Sequence, residues 1–136
     1  MPFVVDASVA ASWLLPDEGD VRAEAAYAMF PDDHAIAPEI FWLEIRNIFL
    51  VCERRDRLDR AQSDRALALL GSLPISLDHA AREEALMTLA RRYKLTAYDA
   101  AYLELAKREG VALATLDEAL ARAARAEGVR LIGEAG

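Results

Sequence analysis

The chain has 136 residues, of which 54% are apolar and 29% are charged, and its formal net charge at pH 7 is −7. This length and balance predict one globular domain spanning residues 1–136, and they exclude an intrinsically disordered chain. The acidic charge also argues against a module that holds nucleic acid by charge alone, because such modules carry a basic surface.

No apolar run approaches the length of a membrane span, and no leader with a cleavage site precedes the first apolar run. We therefore expect a cytoplasmic protein with no membrane contact. The single cysteine, Cys52, lies in an apolar helical stretch and cannot form an internal disulfide. A buried, unreactive thiol is consistent with a reducing compartment.

Strand-like and helix-like segments alternate along the chain. Five short apolar runs predict strands: Phe3–Val5, Ala35–Ala37, Ile75–Leu77, Val111–Ala114 and Val129–Ile132. Seven periodic segments predict helices over about 7–15, 21–30, 38–56, 60–71, 79–93, 97–109 and 117–127, with Pro38 opening the third of them. This alternation predicts an α/β fold in which helices flank a central parallel sheet of about five strands.

Two aspartates follow predicted strands. Asp6 comes directly after the first strand, and Asp117 comes shortly after the fourth. Ligands of open parallel sheets bind at the carboxyl ends of the strands, so both are candidate site residues. A structural alternative stays open for each. Asp6 is also a good N-cap for the helix that follows it. Asp117 could be an exposed acid in the first turn of a helix that is capped by Thr115 together with Glu118.

Glu44 lies on an apolar face of its predicted helix. On a helical wheel of about 100° per residue, the charged residues of that helix lie roughly opposite, and its neighbours are Ile40, Phe41, Ile48 and Val51. A carboxylate among apolar side chains is unfavourable unless it is paired or binds a metal. The structural alternative is a buried ion pair, or a carboxylate that reaches solvent from the edge of the core.

Asp99 points away from the solvated face of its own helix, which carries Glu104, Lys107 and Arg108. Its near neighbours are apolar or aromatic, so it resembles Glu44 in its surroundings. Here too a structural interpretation stays open, because Thr96 and Asp99 have the spacing of a capping box.

These four carboxylates repel one another if they meet at one edge of the sheet. Two carboxylates about 4 Å apart repel by roughly 4 kcal/mol at an effective dielectric constant of about 20. A hard divalent cation such as Mg²⁺ or Mn²⁺ prefers oxygen ligands and removes this repulsion. Placed there, it can activate water and neutralise a phosphodiester, so the pattern predicts metal-dependent hydrolysis.

The order and spacing of these residues resemble the PIN-domain ribonucleases. The small size resembles the VapC-type toxins of bacterial and archaeal toxin–antitoxin pairs. The resemblance covers essentially the whole chain and rests on four segments: Phe3-Val4-Val5-Asp6-Ala7-Ser8, Pro38-x5-Glu44-x2-Asn47, Tyr98-Asp99-Ala100-Ala101-Tyr102 and Ala114-Thr115-x-Asp117. It implies an Mg²⁺- or Mn²⁺-dependent endoribonuclease that acts on RNA, forms a homodimer and is covered on its active-site face by a small antitoxin protein.

The resemblance also implies a role for each site residue. The first and third acids, Asp6 and Asp99, are the expected metal ligands. The fourth, Asp117, completes the ion site, and the second, Glu44, orients water or a second ion. Two further positions carry hydroxyls beside the site: Ser8 and Thr115.

Other functions fit this sequence less well. A receiver-like signalling domain needs two adjacent acids after the first strand and a Lys after a late strand, and this sequence has neither. A dinucleotide-binding domain is excluded because no Gly-rich turn follows the first strand. A non-catalytic scaffold that keeps the acids and an RNA-binding module remain as alternatives. Trp13, Tyr27 and Phe30 are expected mostly in the core, with an antitoxin groove as the alternative.

Overall fold

The computed structural model describes residues 1–16 and 19–134. Within these ranges the strands are β1 (Phe3–Val5), β2 (Ala35–Pro38), β3 (Ile75–Asp78) and β4 (Leu113–Ala114). The helices are α1 (Ala7–Leu14), α2 (Val21–Tyr27), α3 (Ile40–Arg54), α4 (Arg60–Ser72), α5 (Glu83–Tyr93), α6 (Ala97–Glu109) and α7 (Glu118–Ala126). All strand pairs are parallel and the order is β3-β2-β1-β4. The expected α/β fold with helices flanking a parallel sheet is confirmed.

The core is built around β1, which lies between β2 and β4. Phe3, Val4 and Val5 are all fully buried, as expected for a parallel strand with other elements on both faces. Burial of each such side chain contributes about 1.5–3 kcal/mol. The chain leaves this strand at Asp6, so the rigid centre of the fold positions the first candidate acid.

The predicted fifth strand, 129–132, is wrong as a strand. Its pairing is a single parallel bridge between Leu131 and Leu113, held by hydrogen bonds on either side of Leu113. Pairing ends because the chain turns away at Gly133, which has a φ of 78°. A Cβ atom built there would lie 2.7 Å from the Cα atom of Arg22, so the backbone packs directly against α2 and leaves the sheet.

Two predicted helix starts are also wrong, because other interactions hold the backbone there. Pro38 does not open a helix: it ends β2 and pairs with Asp78 of β3. α5 begins four residues later than the predicted start at 79. The preceding turn is held by hydrogen bonds from the Ala80 N–H to Asp78 (3.2 Å) and from the Arg82 N–H to Glu104 (3.1 Å).

A charged network joins the end of β3 to α6. Arg108 donates to Asp78 over 2.7 Å and to Glu104 over 2.8 Å. The Glu104 side chain is only 2% exposed, and it also accepts from the backbone N–H of Arg82. Hydrogen bonds from Arg108 hold the pKa of Asp78 below its usual range. The network therefore fixes α6, which carries Asp99 at its other end, against the edge of the sheet.

No helix within the described ranges has both the length and the apolar character needed to cross a membrane.

We predict that Glu104→Ala lowers the free energy of unfolding by about 1.5–3 kcal/mol, because the Arg82 N–H loses its acceptor and Arg108 loses one of its two buried carboxylate partners. Urea denaturation at pH 7 measures this. Glu109→Ala is the matched control, since Glu109 is a half-exposed partner of the same Arg108 at 3.8 Å, and we expect a loss below about 0.5 kcal/mol. Equal losses in the two variants would contradict the assigned role of burial.

Candidate active site

The four acids reach one region of the molecule from four different elements. Asp6 and Asp117 lie in the loops that follow β1 and β4, neighbouring strands of the sheet. Glu44 lies on α3, and Asp99 lies in the first turn of α6. Their charges act on one another: Asp117 raises the pKa of both Asp6 and Asp99, and Asp99 raises that of Glu44. The structure thus brings the four sequence-predicted acids together.

Asp6 is the most deeply buried of the four, with 5% of its surface exposed. Burial raises the pKa of its carboxyl to about 6, and hydrogen bonds to Ser8, Thr115 and Val9 offset part of that effect. Oδ1 accepts from the Ser8 hydroxyl at 2.6 Å and from the Val9 N–H at 3.0 Å, while Oδ2 accepts from the Thr115 hydroxyl. Asp6 is therefore an N-cap of α1 and a candidate ligand at the same time.

The two predicted hydroxyls tie the Asp6 loop to the Asp117 loop. Ser8 Oγ donates to Asp6 and accepts from the Leu116 N–H at 3.0 Å. Thr115 Oγ1 donates to Asp6 and accepts from the Asp117 N–H at 3.0 Å. Each hydroxyl therefore donates a hydrogen bond to the buried Asp6 carboxylate and accepts one from a backbone N–H of the Asp117 loop. The geometry of the first acid fixes that of the fourth.

The expected Thr115–Glu118 capping pair is wrong. Asp117 itself is the N-cap of α7 and accepts from the Leu120 N–H at 2.9 Å. Thr115 is turned inward because the buried Asp6 carboxylate needs a donor. Asp117 is exposed, and no residue in the described ranges donates a hydrogen bond to its Oδ2, which can therefore accept a ligand.

Glu44 is half-buried at the edge of the core, which is one of the positions considered for it. Burial raises its pKa, and a hydrogen bond from the Tyr102 phenol offsets part of that effect. Oη of Tyr102 donates to Oε1 of Glu44 over 2.5 Å. From the sequence, Tyr102 was named as an aromatic neighbour of Asp99 and as part of the PIN-like motif, but its phenol was given no role. The signal was its position three residues after Asp99, on the same face of α6.

Asp99 is partly buried, and its backbone N–H is the donor to the N-cap residue of α6, Thr96. The Asp99 N–H donates to the Thr96 hydroxyl at 3.1 Å, so the capping interpretation holds for Thr96. Burial and the charge of Asp117 raise the pKa of Asp99. Throughout the described ranges, no Lys, Arg or His forms an ion pair with any of the four acids.

Sequence comparison identifies the family. The model of the PIN domain matches residues 3–126. The chain belongs to the PIN domain family. This PIN domain is also 32% identical over 124 residues to Ribonuclease VapC3 of Pyrobaculum aerophilum, a match that covers 89% of this chain and 93% of that protein. The expected family and its VapC-type character are confirmed.

Solved structures share the fold of this PIN domain. The crystal structure of PAE2754 from Pyrobaculum aerophilum superposes with a TM-score of 0.71 at 23% identity, covering 96% of this chain and 92% of that one. VapC20 of Mycobacterium tuberculosis, titled a sarcin–ricin loop cleaving toxin, superposes with a TM-score of 0.55 at 15% identity, covering 89% and 94%. At these identities the likeness is one of fold.

The donor set of this PIN domain fits a hard divalent cation, because it consists of carboxylate oxygens with no cationic side chain among them. In the part of the chain that the structure describes, no three such acids stand close enough to chelate one ion by themselves. Mg²⁺ does not require three protein ligands, because it keeps several waters and is usually bound by one or two carboxylates.

We predict that, in the metal-free protein, Asp6→Asn gains stability relative to the wild type as the pH rises from 4 to 8. The pKa of Asp6 is about 6 in the folded protein and 3.8 ordinarily. Ionisation of Asp6 therefore destabilises the folded wild type as the pH rises from about 4 to about 6. At 1.36 kcal/mol per pKa unit, the effect is about 3 kcal/mol. Urea denaturation in EDTA at pH 4 and pH 8 measures the gain, which shrinks towards pH 4. Asp117→Asn, which removes an exposed charge and keeps a good cap, is the control. A gain that is equal at both pH values argues against buried charge as the cause.

Proposed function

We propose that this chain is an endoribonuclease that depends on Mg²⁺ or Mn²⁺ and acts in the cytoplasm as the toxin of a toxin–antitoxin pair. Its VapC relative supports a ribonuclease of the toxin class. The observation that carries the proposal is the buried Asp6 carboxylate, grouped with three further acids and paired with no cationic side chain of the described chain.

We assign the ion to Asp6 and Asp99, with Asp117 completing its site. A carboxylate has about four lone-pair positions. Oδ1 of Asp6 already accepts two hydrogen bonds, and Oδ2 accepts one. One position therefore remains on Oδ2, so Asp6 offers a single coordination bond, and its direction is set by Ser8 and Thr115.

A bound Mg²⁺ or Mn²⁺ supplies a water of lowered pKa and neutralises charge on the phosphodiester. The protein groups do the rest. Glu44 has an Oε2 that no described residue donates to, and burial raises its pKa. This oxygen can accept a hydrogen bond from the attacking water and take its proton as the P–O bond forms. The acids of the site, in a chain of net charge −7, repel RNA phosphates until a cation neutralises the carboxylates.

We predict that Asp99→Asn folds normally and loses cleavage of RNA by about 100-fold or more, since even outer-shell changes at metal sites cost 10–100-fold. Its helix cap survives because the cap uses the Asp99 N–H. The measurement is cleavage of total cellular RNA by purified, antitoxin-free protein in Mn²⁺, with EDTA as blank. Asp64→Asn, an exposed acid of α4, should cleave like the wild type. A wild-type sample that cleaves no RNA in Mn²⁺ would favour the non-catalytic scaffold.

We further propose where the antitoxin binds. A groove of about 370 Å³ between α1, α2 and α4 is lined by Trp13, Ala23, Tyr27 and Leu69 among others. Trp13 packs edge-on against Tyr27, its Nε1 donates to the Ala23 carbonyl at 2.7 Å, and Tyr27 and Leu69 stay nearly half exposed. The lining also includes the acidic residue Glu24. An amphipathic helix with an apolar face and basic flanks fits this groove.

We predict that Leu69→Glu frees the protein from its antitoxin without altering cleavage, because a charge in an apolar groove opposes docking of an apolar helix. Co-expression with the antitoxin, which we expect a neighbouring gene to encode, measures rescue of growth. Met87→Glu, which places the same charge on a comparably exposed apolar residue of α5, should remain neutralised. Full rescue of growth with the Leu69 variant would contradict the groove between α1, α2 and α4 as the antitoxin site.

The expected homodimer remains a prediction, and we propose α3 and α6 as its surface. Large apolar side chains of these helices stand 47–59% exposed: Trp42, Leu43, Leu50 and Tyr98. Of these, Leu43 and Tyr98 line one pocket between the two helices. Exposed apolar patches often mark protein–protein interfaces, and a twofold axis would place the same patch on both copies.

A further inference from the structure

Tyr102 is a core tyrosine whose single polar side-chain atom reaches one of the four acids. Its surface is 1% exposed, and it is among the largest fully buried side chains. Its Oη donates to Oε1 of Glu44 over 2.5 Å, across 58 positions of sequence. The bond therefore joins α6 to α3, the two helices that carry Asp99 and Glu44.

Core packing by itself does not account for the phenol. A phenylalanine would fill nearly the same volume, and a buried hydroxyl is unfavourable unless it is hydrogen-bonded. The partner here is a carboxylate of the acid group and not a backbone carbonyl. Helical spacing also sets Tyr102 on the same face of α6 as Asp99, so one helix face contributes both a candidate ligand and this donor.

Glu44 depends on this one donor. Within residues 1–16 and 19–134, Tyr102 is the hydrogen-bond donor recorded for its carboxylate. A glutamate side chain has three rotatable bonds, and it lies here at the edge of the core with one side open to solvent. Without the phenol, the carboxylate would be free to change rotamer, and its distance from Asp99 would vary.

We propose that Tyr102 is a positioning residue of the hydrolytic site: it holds Glu44 by Oε1 and leaves Oε2 as the oxygen that orients the attacking water. This inference rests on the proposed function, because Glu44 orients water only if the acids form a hydrolytic site. Tyr102 itself acts through Glu44 and stays protonated as the donor.

The test compares Tyr102→Phe with Tyr93→Phe. Tyr93 donates its phenol to Glu127, away from the four acids, so the control loses the same kind of bond. We expect Tyr102→Phe to lower kcat on an RNA oligonucleotide by about 10-fold with KM changed less than about 2-fold. We also expect its Kd for Mn²⁺, measured by electron paramagnetic resonance without RNA, to rise by about 10-fold. Tyr93→Phe should change neither, and a Tyr102 variant that matches the wild type overturns the proposal.

A double-mutant cycle separates positioning from general packing. In a Glu44→Gln background, Tyr102→Phe should change the Kd for Mn²⁺ by less than about 2-fold, because its effect passes through the carboxylate. An undiminished effect in that background would make Tyr102 a packing residue and overturn the proposal. Failure of the wild type to cleave any RNA would instead overturn the nuclease assignment, while the Mn²⁺ cycle still reports on Tyr102.

A measurement on the native fold covers the case in which Tyr102→Phe does not fold. The protein is labelled with 3-fluorotyrosine, and the Tyr102 resonance is assigned by replacing the other three tyrosines with phenylalanine. Mg²⁺ should shift this ¹⁹F resonance in the wild type and leave it in place in Glu44→Gln. A resonance that does not respond to Mg²⁺ in the wild type overturns the proposal.

Discussion

One buried carboxylate organises this molecule. Asp6 ends the central strand, where water is excluded, so its charge must be met by donors from the protein. The chain supplies an N–H of α1 and two hydroxyls, and those hydroxyls accept from the loop that carries Asp117. Because the same two hydroxyls donate to Asp6 and accept from the Asp117 loop, they fix the ends of β1 and β4 relative to each other. The remaining acids are arranged around this pair.

Helix starts take the place of cationic side chains around the acids. Asp6 caps α1, Asp117 caps α7, and Asp99 lies in the first turn of α6. A helix N-terminus carries a partial positive charge, worth about 0.3–1 kcal/mol to a nearby anion. Three such ends lower the repulsion among the carboxylates without an Arg or Lys that would compete with a metal ion for them. The group is thus stable enough to fold and still deficient in positive charge, which is the condition for binding a divalent cation.

The fold and the grouping of the four acids could be predicted from the sequence, whereas several contacts of these acids could not. Apolar periodicity and the acids after strands are local signals, so the alternation of elements and the grouping of Asp6 with Asp117 followed from them. The inward turn of Thr115 depends on the burial of a residue 109 positions away, and the phenol of Tyr102 depends on a helix 58 positions away. Tertiary contacts of that kind override local capping rules. The predicted strand 129–132 failed for the same reason, since the packing of Gly133 on α2 ends its pairing after the bridge at Leu131.

The position of β3 has a consequence for self-association of the chain. β3 is one end of the strand order, so one side of its backbone is open to pairing with another molecule. The strand is only four residues long, begins after Pro74 and ends at the charged Asp78, and short edges bounded by proline and charge resist edge-to-edge aggregation. Copies of this chain are thereby discouraged from joining their sheets into fibres. Association between them is left to the side chains of the helices, where it can be specific and reversible.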